Sequence, residues 1–247
     1  MAKPTLLRYA QSLVLIFVLS ASLTTTSLAT EKQVLVGGFV DFPPLTYADR
    51  DGQPAGITID YINALAEQAG FIIHWQELPV ARVHHFLRSG EVDLWPGLSN
   101  LAILQDHKVE ADLALPPITL RAYHLPHMPS VENASQLQGQ RLILLQNYTY
   151  HGVLDPALAN PNTIRLVAPN HLSALRMLQK GRGHYLIDYD APLEVVLTMV
   201  GMRDIHSSML AEHQVALIVS RRANDPLGIV DALERAEQAL NENYKQE

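Results

Sequence analysis

The most regular pattern of apolar and polar positions lies between residues 34 and 93. Residues 34–40 are nearly all apolar, which is typical of a strand covered on both faces. Apolar side chains then recur at helical spacing, with Asp60 at the N-cap position and Gly70 after the last turn. The predicted elements are a strand at 34–40, a helix at 60–69, a strand at 71–75, a helix at 80–88 and a strand at 92–95. This alternation predicts a parallel sheet flanked by helices.

The same rhythm begins again at Arg141. Asn170 stands where an N-cap belongs, and Gly181 follows the apolar positions of the helix that it opens. The predicted elements are strands at 141–145, 163–167, 185–188 and 215–219, and helices at 150–159, 170–180, 192–200 and 225–241. Two α/β units with the same rhythm predict two lobes.

The amino terminus has the features of a secretory signal peptide. Lys3 and Arg8 provide positive charge, residues 13–19 an apolar core, and Ser27 and Ala29 the small residues of a cleavage site. The alternative is a membrane-anchoring helix, but only about ten residues are strongly apolar where a span needs roughly 20. We expect cleavage after Ala29 and a mature protein in the periplasm. No cysteine occurs that could carry a lipid anchor.

Composition narrows the choice of partners. The 247 residues carry a formal net charge of −7, which argues against nucleic acid or anionic lipid as a partner. The absence of cysteine excludes disulfides, and the length suffices for one large or two small domains. We expect a monomer that uses no cofactor.

The eleven histidines raise the question of a metal site. His84 and His85 are adjacent on a predicted helix, while His124 and His127 flank Pro126 in a predicted loop. Neither pair has the helical i, i+4 spacing or the carboxylate neighbours of a zinc site. We predict no metal site and interpret these residues as surface or hinge residues, with pH sensing as the alternative.

Residues 34–93 also carry an ordered series of features that is similar to a known family. An aromatic residue and two prolines follow the first strand at 42–44, Asp51-Gly52 follows in the loop, and Gly56 opens the second apolar run. An Arg-bearing helix and the sequence Ser-Gly-Glu-Val-Asp at 89–93 complete the series. It resembles the first lobe of the family 3 extracellular solute-binding proteins, periplasmic receptors for amino acids and similar small polar solutes.

The resemblance implies a fold and a domain organisation. The expected fold is α/β, periplasmic-binding-protein-like of type II, with two lobes of mixed, mainly parallel sheets flanked by helices. After a signal peptide at 1–29, lobe one comprises residues 30–118 and 212–247, and lobe two comprises 119–211. The hinge crossings are expected near 115–124 and 209–217, and the last helix returns to lobe one.

Candidate ligand-binding residues of lobe one begin with Asp41 and Phe42. They follow the carboxyl end of a strand, where ligands bind in open α/β sheets, and two prolines restrain the turn. In similar receptors the aromatic residue stacks on the solute; the alternative is an aromatic ring packed under the turn. Tyr47 either caps the cleft or covers the loop.

Trp95, Gly97 and Ser99 lie where the family places backbone carbonyls and a hydroxyl on the ligand. Gly97 would allow close approach of the backbone, and Ser99 can donate or accept a hydrogen bond. Trp95 either stacks on a cation or ring or fills the core.

Arg82 is the candidate anion-binding residue, because a guanidinium offers a planar fork to a carboxylate. The alternative is an ion pair with Glu77 or Asp93. Similar amino-acid receptors carry an Arg within a Thr-x-x-Arg segment that holds the α-carboxylate, but residues 99–106 contain no Arg. Either Arg82 substitutes for it or the ligand has no α-carboxylate.

In lobe two, Thr149 and Tyr150 join a strand to a predicted helix, whose free N–H groups would form an anion site. The alternative for Thr149 is ordinary N-capping. Asp188 matches the family carboxylate that receives a ligand ammonium, or else caps the next helix. His184 replaces a family Asp that has a structural role.

These features predict a non-enzymatic receptor that binds a small polar solute, an amino acid or a related amine or carboxylate, by closure of two lobes. Its expected partner is the permease of an ABC importer. One alternative is a periplasmic enzyme on the same fold, similar to cyclohexadienyl dehydratases, that uses Arg82 with His184 or Asp188. The other is a sensing subunit for a chemoreceptor or kinase.

Overall fold

The computed structural model describes residues 32–146 and 148–244, so the predicted signal peptide lies outside the described residues. The strands are β1 Gln33–Phe39, β2 Tyr47–Ala48, β3 Pro54–Ala55, β4 Phe71–Glu77, β5 Leu94–Leu98, β6 Lys108–Ala111, β7 Ile118–His124, β8 Arg141–Leu145, β9 Ile164–Ala168, β10 Tyr185–Tyr189, β11 His206–His213 and β12 Val215–Ser220. The α-helices are α1 Ile57–Gln68, α2 Val80–Ser89, α3 Asp155–Leu158, α4 His171–Gln179, α5 Asp190–Val200 and α6 Pro226–Tyr244. None of these helices combines the length and the apolar character that crossing a bilayer requires.

Ten of the strands form two five-stranded sheets, and β2 pairs with β3. The first sheet has the order β4-β1-β5-β12-β6, with β1 parallel to both neighbours and β12 antiparallel to both of its own. The second has the order β11-β7-β10-β8-β9. Strand β8 is parallel to both of its neighbours, whereas β7 is antiparallel to both of its own. The chain passes to the second sheet through residues 112–117 and returns through Gln214.

Helices α1 and α6 cover one face of the first sheet. Ile62 and Leu65 of α1 pack with Leu35 of β1 and Leu233 of α6, and all four are almost completely buried. The final helix therefore closes the sheet that contains the first strand, because its apolar stripe finds its partners there.

Helices α4 and α5 cover one face of the second sheet. Leu175 and Leu178 of α4 lie in one cluster with Ile143, Leu186 and Leu193. The N-cap predicted for α4 is confirmed, since the Asn170 side chain accepts a hydrogen bond from the Ser173 N–H at 2.9 Å.

The start of α1 differs from the prediction. The helix begins at Ile57, and Asp60 lies within its first turn, where a carboxylate favours the helix dipole. Its N-cap is Gly56, with φ of 120°. A Cβ there would lie 2.4 Å from the Leu45 carbonyl oxygen, so the close approach of the 42–46 turn requires glycine.

The predicted helix at 150–159 shortens to Asp155–Leu158. Both His151 and Gly152 have positive φ, at 48° and 77°, which is incompatible with a continuing right-handed helix. Strands β6, β7 and β11 were not predicted, and His124, predicted in a loop, is buried within β7.

Candidate functional site

A cavity of about 340 Å³ opens where loops and strand ends of the two sheets meet. The side formed by elements of the first sheet, here the first-sheet side, contributes Asp41, Phe42, Glu77, His84, Trp95 and Gly97. The side formed by elements of the second sheet, the second-sheet side, contributes Tyr148, Thr149, His151, His171 and Tyr189. Several of these residues end or follow strands, as expected for ligand sites of open α/β sheets.

Phe42 links the two sides of the cavity. Its ring stacks on Tyr148 with a centroid distance of 6.3 Å and an interplanar angle of 18°. It also meets Tyr189 edge-on at 5.5 Å. The turn that presents Phe42 is held by its own N–H, which donates to the Thr46 carbonyl at 2.7 Å. The two sides therefore touch through aromatic rings beside the cavity.

A hydrogen-bonded chain runs from the cavity into the second-sheet side. The Tyr148 hydroxyl lies 3.1 Å from Nε2 of His171, and Nδ1 of His171 lies 2.7 Å from Oδ2 of Asp188. The same hydroxyl donates to the Asp41 carbonyl across the cavity at 3.5 Å. Both nitrogens of His171 are thus engaged.

Asp188 lies behind the cavity wall and does not line it. It is completely buried, and its Oδ1 accepts a hydrogen bond from the Tyr189 N–H at 2.8 Å. Burial raises the pKa of Asp188, while the bond to His171 opposes that rise. In this structure Asp188 does not reach the cavity predicted to hold a ligand ammonium, and its oxygens bond His171 and the Tyr189 N–H instead. Nor does Asp188 cap a helix.

Trp95 combines the two interpretations predicted for it. It is 4% exposed and belongs to a core cluster, yet it lines the cavity. The His84 ring meets it edge-on at 5.2 Å, so His84 is a cavity residue and the prediction of a surface or hinge position was wrong. Within the described residues, Trp95 Nε1 and His84 Nε2 are buried without a hydrogen-bond partner. Burial lowers the pKa of His84.

Gly97 makes room for Trp95. A Cβ at position 97 would lie 2.3 Å from the Trp95 ring, far inside van der Waals contact. Gly97 lines the cavity as predicted for a ligand-binding residue, but the space that it leaves is filled by the indole.

A second group of rings lies on the second-sheet side. His151 and His213 have ring centroids 5.5 Å apart, and Tyr189 lies 6.3 Å from His213. Burial and the neighbouring histidines lower the pKa of His151 to about 4. His151 is therefore neutral at pH 7.

Thr149 lines the cavity but does not begin a helix. Its hydroxyl lies 3.1 Å from Nε2 of His151, and the nearest helix starts six residues later at Asp155. The predicted anion site at a helix start beyond β8 is therefore wrong, as is N-capping by Thr149.

Arg82 lies on the exposed face of α2, outside the cavity lining. Among the described residues it forms no ion pair with Glu77 or Asp93. Asp93 instead accepts a hydrogen bond from the Val36 N–H at 2.8 Å. Glu77, the other predicted partner of Arg82, lines the cavity.

Three other candidates lie outside the lining. Tyr47 belongs to the small β2–β3 hairpin. The Ser99 N–H donates to the Gln214 carbonyl at 3.0 Å, which fixes the return crossing. The Tyr150 hydroxyl accepts from the Leu145 N–H at 2.8 Å and supports the end of β8.

His184 has a structural environment. Its Nδ1 lies 2.7 Å from Oε1 of Gln140, and Arg141 Nε donates to its Nε2 at 3.2 Å. Burial and Arg141 lower the pKa of His184. None of the residues predicted for an enzyme, Arg82, His184 or Asp188, lines the cavity.

Glu77, Tyr148, His171 and Tyr189 were not among the predicted site residues. Glu77 and Tyr189 end strands, and Tyr148 follows β8 closely. The rule that placed Asp41 at a strand end would have found these three as well. His171 begins a helix after an N-cap, and its position beside Tyr148 follows only from the tertiary structure.

The fold is periplasmic-binding-protein-like of type II, as predicted. The model of the bacterial extracellular solute-binding proteins, family 3, matches residues 34–105, which confirms the predicted resemblance over that segment. No protein with a curated description matches the chain.

Three solved structures show the same fold. A histidine kinase sensor domain with similarity to periplasmic binding proteins has 18% identity and a TM-score of 0.69, covering 87% of this chain and 92% of its own. An ancestral arginine-binding protein bound to arginine has 15% identity and a TM-score of 0.69, covering 86% and 94%. A substrate-binding protein of an ABC uptake transporter from Streptococcus pneumoniae, with bound histidine, has 18% identity and a TM-score of 0.67, covering 85% and 87%. These likenesses confirm the predicted fold.

Proposed function

We propose that this protein is a periplasmic solute-binding protein. It captures a small polar solute, an amino acid or a related amine or carboxylate, between two lobes and delivers it to the permease of an ABC importer. The proposal includes export by a signal peptide cleaved after Ala29, a monomeric mature protein without catalytic activity, and the lobe boundaries 30–118 with 212–247 and 119–211.

The observation that carries the proposal is the cavity, because residues of both sheets line it. A solute held there contacts both sides at once and therefore stabilises the arrangement in which they meet. Binding would then shift the population toward the closed form. Two short segments connect the sheets within the described residues, which favours such a motion. The substrate-binding protein with bound histidine and the arginine-binding protein share this fold, and their ligands support a solute of amino-acid size.

A sensing role is the second candidate, and one finding favours it. The histidine kinase sensor domain matches 87% of this chain with a TM-score of 0.69, equal to that of the arginine-binding protein and close to the 0.67 of the ABC-transporter substrate-binding protein. In that role the same closure would be read by a kinase or chemoreceptor instead of a permease. The two roles share the solute site and differ only in the membrane partner.

Thermal unfolding of the mature protein with a library of amino acids, amines and carboxylates tests solute binding. A ligand at 100 times its Kd stabilises the protein by about 2.7 kcal/mol, which raises the melting temperature measurably. A matched variant, Phe42→Ala, should lose about half of that rise if it binds about tenfold more weakly. A melting temperature that no member of the library changes would contradict the proposal.

A gene deletion separates the two roles. Loss of growth on the bound solute as sole nitrogen source, with uptake of labelled solute abolished, supports transport. Unchanged uptake together with a lost transcriptional or chemotactic response supports sensing.

A further inference from the structure

We propose that the solute is a small organic cation without a carboxylate group, such as an amine or a guanidine. This inference rests on the proposed function and names the ligand class of the same cavity. It starts from the charges of the lining. Asp41 and Glu77 are acidic and exposed, and no Lys or Arg of the described residues lines the cavity.

The cationic side chains that usually hold a carboxylate are missing from the described part of the lining. Residues 99–106 contain no Arg, and Arg82 lies outside the cavity. The segment after β8 provides no helix start, and the Thr149 hydroxyl is bonded to His151. At the start of α4, which reaches the cavity, the Asn170 side chain accepts the Ser173 N–H and so engages one of the N–H groups of the first turn. A carboxylate in this cavity would be desolvated without a positive partner.

The histidines of the lining do not reverse this balance. His171 is bonded through both nitrogens, and any positive charge on it is balanced by Asp188 at 2.7 Å. Burial lowers the pKa values of His84 and His151, so both are neutral near pH 7. Trp95 Nε1 is a neutral donor and cannot balance the charge of a carboxylate. The acidic side chains of Asp41 and Glu77 therefore have no cationic side chain opposite them in the described part of the lining.

The aromatic rings of the lining suit a cation. Phe42, Trp95, Tyr148 and Tyr189 all line the cavity. Aromatic faces attract ammonium and guanidinium groups, more strongly when the site excludes water. Burial raises the pKa values of both tyrosines, so they remain neutral donors. The Tyr189 hydroxyl donates to the Thr149 carbonyl at 3.2 Å, and its ring is the part left for a ligand.

Pairs of compounds that differ only by a carboxylate test the inference. Agmatine with arginine, putrescine with ornithine, cadaverine with lysine and histamine with histidine are titrated calorimetrically at pH 7.5. We expect at least one amine to bind about tenfold or more tightly than its parent amino acid, a difference of about 1.4 kcal/mol. Asp41→Asn and Glu77→Gln should each weaken that amine about fivefold or more, or about 1 kcal/mol.

Asp60→Asn is the matched control, because Asp60 is an exposed carboxylate of α1 outside the cavity lining. The Asp60→Asn variant should bind the amine as tightly as the wild type does. Thermal unfolding of each variant confirms that it is folded. An amine preference that neither Asp41→Asn nor Glu77→Gln changes would overturn the inference, since the cation would then be held elsewhere.

Other results distinguish this inference from the proposed function. An amino acid that binds more tightly than its amine, or a carboxylate or neutral solute that binds when no amine does, overturns the ligand class and leaves solute binding intact. A complete absence of binding across the amines and the wider library overturns both.

Discussion

The two sides of the cavity contribute different kinds of groups. The first-sheet side presents the carboxylates of Asp41 and Glu77, which are exposed and form no ion pair with a described residue. The second-sheet side presents rings that are already fixed, since Tyr148, His171 and Asp188 form one hydrogen-bonded chain. Under the proposed cation specificity, recognition of charge and recognition of shape would be separated in this protein. The first-sheet side would select the charge of a solute, and the second-sheet side would provide a wall of rings already held in place.

The most severe way to break the second-sheet side is Asp188→Ala. It leaves His171 beside a buried space without its partner, and removal of one member of a buried pair costs about 3–5 kcal/mol. Urea unfolding measures the free energy of unfolding. Asp190→Asn is the control: its partner Arg121 lies 3.7 Å away in a partly exposed pair, and the expected loss is below about 1 kcal/mol. Equal free energies of unfolding for Asp188→Ala and Asp190→Asn would show that the hydrogen bonds linking Tyr148, His171 and Asp188 do not stabilise the second-sheet side.

A smaller effect is expected on the first-sheet side from Gly97→Ala. The added Cβ would lie 2.3 Å from the Trp95 ring, and such overpacking costs about 1–3 kcal/mol. Gly38→Ala in β1 is the control, since its Cβ would meet Val92 at 3.3 Å. Denaturant unfolding should give Gly97→Ala a clearly lower free energy of unfolding than Gly38→Ala. The reverse order would mean that Trp95 is free to move.

Phe42→Ala sharpens the comparison because Phe42 touches both sides. The change removes the ring contacts with Tyr148 and Tyr189, and aromatic pairs contribute about 0.5–1.5 kcal/mol beyond area burial. We expect about tenfold weaker binding of the solute by calorimetry. Tyr47→Ala, an aromatic residue of the same loop outside the lining, should bind as the wild type does. Similar losses in both variants would show that the loop as a whole, and not the Phe42 ring, supports binding.

The smallest expected effect is a pH dependence at His151. Its pKa is about 4 in the folded protein and 6.5 in the unfolded chain. The unfolded state therefore binds more protons, and the stability contributed by neutral His151 is complete above pH 6.5 and is lost as the pH falls toward 4. The effect should stay below about 1 kcal/mol because His151 is only partly buried and water screens its charge. His151→Asn should flatten the decline in stability over this range, and an identical pH profile would contradict the lowered pKa.

Much of the fold could be predicted, because continuous apolar runs such as β1, β8 and β12 signal buried strands directly. Strands β7 and β11, which were not predicted, carried no such signal. β11 is an edge strand with many polar residues, and Arg121 interrupts the apolar run of β7. Their identity as strands depends on each other, since they pair along most of their length.

The site was predictable only in part, for a reason visible at the end of β10. Asp188 and Tyr189 are consecutive strand residues, and successive side chains point to opposite faces. Residue types favoured Asp188 as the ligand contact, but the register of β10 directs Asp188 to His171 and places Tyr189 in the cavity lining. The sequence pattern does not reveal that parity, nor that α4 brings His171 beside Tyr148.

A crystal structure of the mature protein with a solute that raises its melting temperature tests the central claim most directly. The solute should lie in the cavity and contact residues of both sides, with Phe42 from one and Tyr148 or Tyr189 from the other. A solute bound at any other surface, or held by one side alone, would contradict capture between the two sheets.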